Sequence, residues 1–344
     1  MQAIVIHAAK DLRVEDLADG EPGPGEVKVR VARGGICGSD LHYYNHGGFG
    51  AVRLKHPMIL GHEVSGIVES LGANVEGLSE GDLVAISPSR PCGACRYCLD
   101  GLPNHCLNMR FYGSAMPMPH IQGAFAETLV VQASQCVRAP DGLTPAETAM
   151  AEPLSVALHV IRRAGEMIGK RVLVTGCGPI GVLTIMAARR AGAREIVATD
   201  IAELPLRHAE LAGAEQALNV AENPEALAPW RAEKGSFDVL LEASGAPAAL
   251  ADAILAVRPR GVVVQLGLGG DDVLPLSAIV TKELDLRGSF RFHEEFRWSV
   301  QLMGQGLIDV KPVITHIFPL SRALEAFETA SQRLKAMKTQ IAFA

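Results

Sequence analysis

The 344-residue chain contains no long run of lysine and arginine, and its formal charge is -6. Both facts argue against nucleic acid or an anionic membrane surface as partner. No apolar stretch approaches the roughly 18 residues of a membrane span. The opening "MQAIVIHAAKDL" lacks the basic start and apolar core of a secretory leader. Internal repeats and low-complexity tracts are missing too. A complete disulfide framework is also excluded, because the cysteines number seven, at 37, 92, 95, 98, 106, 136 and 177. An odd count, with four packed into one short stretch, fits thiolate chemistry in a reducing compartment, so the expected location is the cytoplasm. What remains is an ordinary globular mixture, 48% hydrophobic and 20% charged. At about 100–200 residues per domain, the length predicts two domains.

Residues 1–152 read as short β segments cut by glycine and proline: "AIVI", "GEVKVRVARGGI", "EVSGIVESLG", "GDLVAIS" and "AETLVV", with turns such as "EPGPGE". This predicts a mainly β domain of barrel type. From 153 to 287 strands and helices alternate, beginning with "KRVLVTG" and "GPIGVLTIMAARRAGA" and then "EIVATD". That texture predicts βαβ units in a doubly wound parallel sheet. The last segment, 288–344, is expected to return to the first domain. The predicted class is therefore α/β with two domains.

The stretch "VLVTGCGPIGVLT" holds Gly176, Gly178 and Gly181 in a G-x-G-x-x-G pattern between a predicted strand and helix. The first glycine permits the tight turn, the second admits a pyrophosphate against the backbone, and the third lets helix pack on strand. The next predicted strand ends in Asp200, which suits the adenosine ribose hydroxyls and repels a 2′-phosphate. NAD is therefore expected over NADP, with Arg207 the one nearby cation that argues otherwise.

"PCGACRYCLDGLPNHC" spaces Cys92, Cys95, Cys98 and Cys106 as C-x2-C-x2-C-x7-C. Four thiolates in one loop can close a tetrahedral shell without a vacancy, which predicts a structural zinc; an iron–sulfur cluster is the chemical competitor. The remaining ligand types are scattered: Cys37 in "GGICGSDLHYY", His62 and Glu63 in "LGHEVSGIVESLG", and Glu152 in "MAEPLSVALH". Cys37, His62 and either acid would make three ligands and an open position. Taken alone, a buried cysteine is more often inert packing and a lone histidine more often a satisfied core group.

In order and over nearly the whole chain, "GGICGSDLH", "GHEVSGIVESLG", the four-cysteine loop, "AEPLSVALH" and "GCGPIG" with Asp200 resemble the zinc-dependent medium-chain alcohol and polyol dehydrogenases. The resemblance implies a GroES-like barrel domain beside a Rossmann domain, two zinc ions, NAD and a homo-oligomer, dimer or tetramer. By position it makes Cys37 and His62 ligands of a catalytic zinc, with Glu63 or Glu152 completing the shell. It assigns Ser39 and His42 to a proton relay, and Tyr43, Glu152 and Arg291 to contacts with substrate. It extends the cofactor surface from Gly176, Gly178 and Gly181 to Pro179, Ile180, Leu266, Gly267, Leu268, Ser289, Phe290 and Arg291. Glu63 and Glu152 point to the polyol branch, and Arg110 joins Arg291 as a candidate cation for a sugar-acid carboxylate. Two positions depart from the sorbitol-type pattern: Phe292 stands where a tyrosine follows the arginine, and Pro205 where a basic residue follows the ribose aspartate. The implied reaction is hydride transfer from a secondary alcohol of a sugar acid or polyol to NAD. Sorbitol, xylitol or threonine oxidation is the rival, and an inactive zinc- and NADH-binding structural protein is the rival class.

Overall fold

A computed structural model describes residues 1–269 and 274–343. The chain forms two compact units: Met1–Glu152 with Phe296–Gln332 and Lys338–Ala344, and Pro153–Glu295 with Arg333–Met337. The expected spans 153–287 and 288–344 include positions outside the described residues. The second unit runs on to Glu295 rather than stopping at 287. Strand Asp285–Gly288 is its sheet edge, and the Glu295 carboxylate accepts from His159 Nδ1 at 2.9 Å and the His293 N–H at 2.8 Å.

The first unit is built on a seven-stranded sheet. Its path runs Cys136–Arg138, Leu83–Ile86, Glu63–Leu71, Glu26–Gly35, Lys338–Ala342, Ile314–Pro319, with Thr128–Gln132 also on Glu26–Gly35. The alternation in "EVKVRV" puts Val27, Val29 and Val31 in the core at 0% exposure. The exception on the other face is Lys28, also buried, which reaches Asp19 at 2.8 Å and Glu21 and Glu69 further out. Tyr43, Tyr44, Phe125 and Phe327 fill the same core as Ile4, Ile6 and Leu60. Gly35 lies opposite Glu63 in the antiparallel register, and any Cβ at Gly35 would collide with the Glu63 carboxylate. The missing side chain is therefore what leaves Glu63 its place inside the sheet.

The second unit is a six-stranded parallel sheet. Its strands are β1 (Arg171–Thr175), β2 (Glu195–Asp200), β3 (Gln216–Asn219), β4 (Phe237–Glu242), β5 (Val257–Gln265) and β6 (Asp285–Gly288), in the order 3-2-1-4-5-6. Near-continuous apolar strands such as "RVLVT" and "FDVLLE" are buried on both faces, as helices Pro179–Arg190 and Pro247–Ala256 require. The order reverses between β1 and β4, and in such sheets that switch point, at the carboxyl ends of the strands, is where ligands bind.

Candidate functional site

The four-cysteine loop brings its sulfurs into one shell. Sγ separations are 3.5 Å for Cys92–Cys106, 3.6 Å for Cys95–Cys98 and 4.0 Å for Cys95–Cys106, and all four ligand atoms lie within 4.8 Å of one another. A tetrahedral shell at the usual Zn–S length needs edges of about 3.8 Å. Backbone amides turn inward on the sulfurs: the N–H groups of Cys92 and Asn108 donate to Cys106 Sγ at 3.2 and 3.3 Å. The Ala94 and Cys95 amides pull the Cys92 thiol down to about 6, aided by the Asn108 side chain. These donors favour the thiolate at Cys92, while burial and the neighbouring sulfurs push the Cys98 thiol up to about 12. Four sulfurs at these separations fit a closed S4 zinc site, whose charge would offset their crowding.

The second group is assembled from distant segments, with His62 and Glu63 buried and Cys37 half-buried. Cys37, His62 and Glu63 place one ligand atom each within 4.8 Å of one another. Cys37 caps helix Gly38–His46, and His62 immediately precedes strand Glu63–Leu71. One fully buried carboxylate ties the two segments together. Asp40 accepts from the Cys37 N–H at 3.0 Å and the Gly61 N–H at 3.1 Å, and stands 3.8 Å from His62 Nδ1. Phe111 walls the histidine, ring to ring at 5.4 Å.

Glu63 has a partner that the motifs did not reveal. Lys338 Nζ, itself buried, donates to both carboxylate oxygens at 2.8 Å and to the Ile36 carbonyl at 3.1 Å. Burial lowers the lysine's affinity for its proton, and the charges of Glu63 and Cys37 more than restore it. Glu152, in the first turn of helix Ala151–Ala164, is buried beside this group without joining its close set of ligand atoms.

Negative charge here is poorly compensated. Burial pushes the Glu152 carboxyl up to about 8; His62 offsets part of this, and the charges of Glu63 and Cys37 add to it. Burial likewise raises the Cys37 thiol to about 11, with Glu63 adding to the effect and Lys338 opposing it. A thiol, an imidazole and two carboxyls facing a single buried ammonium are a donor set that a divalent cation would relieve. The residues therefore fit a zinc ion, with Cys37, His62 and Glu63 as the close donors.

Around this group the other expected residues are spread out. Ser39 is half-buried, and its amide donates to Cys37. His42 lies on the outer face of the same helix, 5.7 Å from the Phe49 ring and 6.2 Å from the His46 ring, and partial burial lowers its imidazole pKa. Tyr43 is buried, with its hydroxyl accepting from the Ala115 N–H at 3.0 Å. Tyr44, which no motif assigns a function, is an anchor: its hydroxyl donates to Glu328, and Lys10 Nζ sits 4.2 Å over its ring. Arg110 is exposed on a two-residue strand directly opposite Arg90, one residue before Phe111. Arg291, in the second unit, has φ +56 and holds its guanidinium 4.8 Å over the Phe290 ring.

In the second unit the glycine loop opens at the carboxyl end of β1. Gly176 takes φ +82, and a Cβ there would meet the Ser244 amide at 2.6 Å. Among the described residues nothing lies within 4 Å of a Cβ built on Gly178, which caps helix Pro179–Arg190 without any side-chain cap. Gly181 packs so closely that a Cβ would strike the Gly176 carbonyl. The open helix N-terminus and the space over Gly178 suit a pyrophosphate. At the end of β2, Asp200 is held by three amides, those of Cys177 at 2.7 Å, Ile201 at 2.7 Å and Ala202 at 3.1 Å. Leu268 and Phe290 are exposed, and Ser289 Oγ is buried with no hydrogen-bond partner among the described residues. The arrangement fits a dinucleotide.

Comparison with known proteins agrees with both halves. Residues 23–141 match the alcohol dehydrogenase GroES-like domain, and residues 179–305 match the zinc-binding dehydrogenase domain. The L-idonate 5-dehydrogenase (NAD(P)+) of Escherichia coli K12 is 43% identical over 318 residues, covering 92% of this chain and 91% of that protein. Human sorbitol dehydrogenase is 38% identical over 338 residues, covering 96% and 93%. The crystal structure of the E. coli L-idonate 5-dehydrogenase superposes with a TM-score of 0.95 at 41% identity, over 99% of this chain and 97% of that one. The chain thus belongs to the zinc-dependent medium-chain alcohol and polyol dehydrogenases, and is an NAD(P)-dependent oxidoreductase.

Proposed function

We propose that this enzyme oxidises the C5 hydroxyl of L-idonate to 5-keto-D-gluconate, reversibly, with NAD as acceptor. The observation that carries the reading is the buried Cys37–His62–Glu63 group with Glu152 beside it. The 43% identity to an L-idonate 5-dehydrogenase supports the substrate. Zinc at that group would supply Lewis acidity to the alcohol hydroxyl, and NAD would supply the hydride acceptor.

The chain's own residues do the rest. Asp40 keeps the segments of Cys37 and His62 in register, and Lys338 offsets the charge of Glu63. Phe111 shields the histidine from water. Ser39 and His42 are the proton path to solvent, and a lowered imidazole pKa keeps His42 neutral and able to accept. Tyr43 shapes the substrate wall through its bond to Ala115, and Arg110 and Arg291 are the cations available to the carboxylate. Gly176, Gly178 and Gly181 receive the pyrophosphate, and Asp200 receives the ribose. Its carboxylate supports NAD over NADP.

The second zinc belongs to Cys92, Cys95, Cys98 and Cys106, where it locks the loop. A homo-oligomer, dimer or tetramer, is supported by the edge of β6, unpaired among the described residues and with Leu286 exposed on it. Seven free cysteines support a cytoplasmic setting. No helix among the described residues is long and apolar enough to cross a membrane.

NADH formation at 340 nm with idonate, sorbitol, xylitol and threonine, with and without chelator, tests the reading. Chelator-sensitive turnover of idonate is expected. Turnover of sorbitol but not idonate would overturn the substrate, and no turnover by metal-replete protein would overturn the mechanism.

A further inference from the structure

Outside the metal sites, one side chain gathers more hydrogen bonds than its structural position requires. Glu242 ends β4 and is 0% exposed. Its Oε1 accepts from the Ser244 N–H at 2.8 Å, the Ser244 hydroxyl, the Gly245 N–H at 3.1 Å and the Thr175 hydroxyl at 3.3 Å. Its Oε2 accepts from Gln265 Nε2 at 2.7 Å and again from the Gly245 N–H at 3.1 Å. Every one of these partners is a neutral donor.

Thr175, Glu242 and Gln265 lie abreast in the parallel register, at the carboxyl ends of β1, β4 and β5. The carboxylate therefore joins three strand ends at the switch point of the sheet. It also sets the loops that leave them. Gln265 Nε2 bridges from Glu242 to the Gly267 carbonyl at 2.8 Å, and the Glu242 backbone carbonyl accepts from the Leu266 and Gly267 amides at 2.9 Å. The loops are packed to contact: a Cβ at Gly267 would lie 2.7 Å from Glu242 Oε2, and one at Gly245, which has φ +67, would lie 2.9 Å from the Leu268 carbonyl.

In a sheet of order 3-2-1-4-5-6 the dinucleotide is shared between two mononucleotide halves. The β1–β3 half, with Gly176–Gly181 and Asp200, takes the adenosine side, which leaves the ends of β4–β6 to the nicotinamide side. We propose that Glu242 is a positioning residue for the nicotinamide half, its carboxylate fixing loops 244–246 and 265–268 in the form that receives the ring. The proposal rests on the dinucleotide reading of this unit.

An amide cannot replace the carboxylate. Whichever way Glu242→Gln turns, its NH2 meets a backbone N–H that cannot turn away: that of Ser244 on the Oε1 side, that of Gly245 on the Oε2 side. The test titrates metal-replete wild-type and variant proteins with NADH and, separately, with ADP, by calorimetry. Glu242→Gln is expected to weaken NADH about tenfold or more while changing ADP less than about twofold. Gln265→Met, which keeps the side-chain volume and removes one bridge, is expected to weaken NADH about three- to tenfold with ADP again unchanged. A smaller enhancement of NADH fluorescence on binding should accompany both. Unchanged NADH affinity, or equal losses for NADH and ADP, would overturn the proposal. If Glu242→Gln does not fold, Gln265→Met decides alone. Wild-type protein that bound neither nucleotide would instead overturn the dinucleotide reading and the proposal with it.

Discussion

The first unit contains two thiol-bearing groups made on opposite plans. The four-cysteine group comes from one loop, between positions 92 and 106, running from exposed Cys92 to buried Cys106, with backbone amides turned onto its sulfurs. The Cys37 group is buried, drawn from segments around 37 and 62 and backed by Lys338 and Glu152 from much later in the chain. A loop with four like ligands needs only itself and a metal to close a shell, and closure leaves no position for a reacting ligand. A mixed and incompletely neutralised set must be held by the whole fold, because burial of carboxyl and thiol groups opposes their charge. On the function proposed above, the first group serves stability and the second chemistry.

That contrast is most sharply tested by removing one ligand from each group. His62→Ala is expected to cut NADH formation with idonate by about a thousandfold or more. Its melting temperature should stay within a few degrees of wild type, and its zinc content should fall by one ion per chain. Cys98→Ser is expected to do the reverse, lowering the melting temperature by about ten degrees through the metal's link to folding. Turnover per correctly folded, fully metallated molecule should then persist. A His62→Ala protein less stable than Cys98→Ser would break the comparison.

Lys338→Met ranks next. It leaves the Glu63 carboxylate buried without its ammonium, so a loss of about 3–5 kcal/mol is expected by denaturant unfolding of the metal-free protein. A change under about 1 kcal/mol would show that Glu63 finds other compensation.

Lys338 also marks the limit of what the sequence alone discloses. The C-x2-C-x2-C-x7-C spacing, the glycine loop and Asp200 are local patterns whose chemistry follows from neighbours in the chain, and they can be read directly. So can the parallel sheet, because apolar strands and helices alternate after 153. Lys338 is 275 residues from Glu63, in a strand where Lys338, Thr339 and Gln340 are all buried. Three buried polar residues in "KTQIA" were the available signal, yet a polar run of that kind reads as an exposed strand until its partners are known. Asp40 hid in the same way, as one acid in a polar helix start, although it spans two ligand segments. Tyr44 and Glu242 work through Glu328 and Gln265, contacts that only the fold supplies. Arg110 reads as a candidate cation from its type alone, and the fold adds its setting: exposed, opposite a second arginine, one residue from the wall of His62.

The smallest expected effect separates the two groups by pH alone. In the metal-free protein the Glu152 carboxyl is raised from 4.5 to about 8, with burial as the main cause. Below 4.5 both folded and unfolded chains hold this proton. Between 4.5 and 8 the unfolded chain releases it while the folded chain keeps it, so stability falls as pH rises and levels off above 8. The melting temperature of metal-free wild type should therefore decline through this window relative to Glu152→Gln, by several degrees in all. Restoring zinc to the Cys37 group should flatten the decline, because a dication stabilises the ionised carboxylate. Metal-free Cys98→Ser should show the same decline as wild type, since it leaves the Cys37 group and Glu152 untouched. Parallel melting curves for wild type and Glu152→Gln from pH 4.5 to 8 would mean that Glu152 carries no strained charge. The buried group would then need no metal to relieve it.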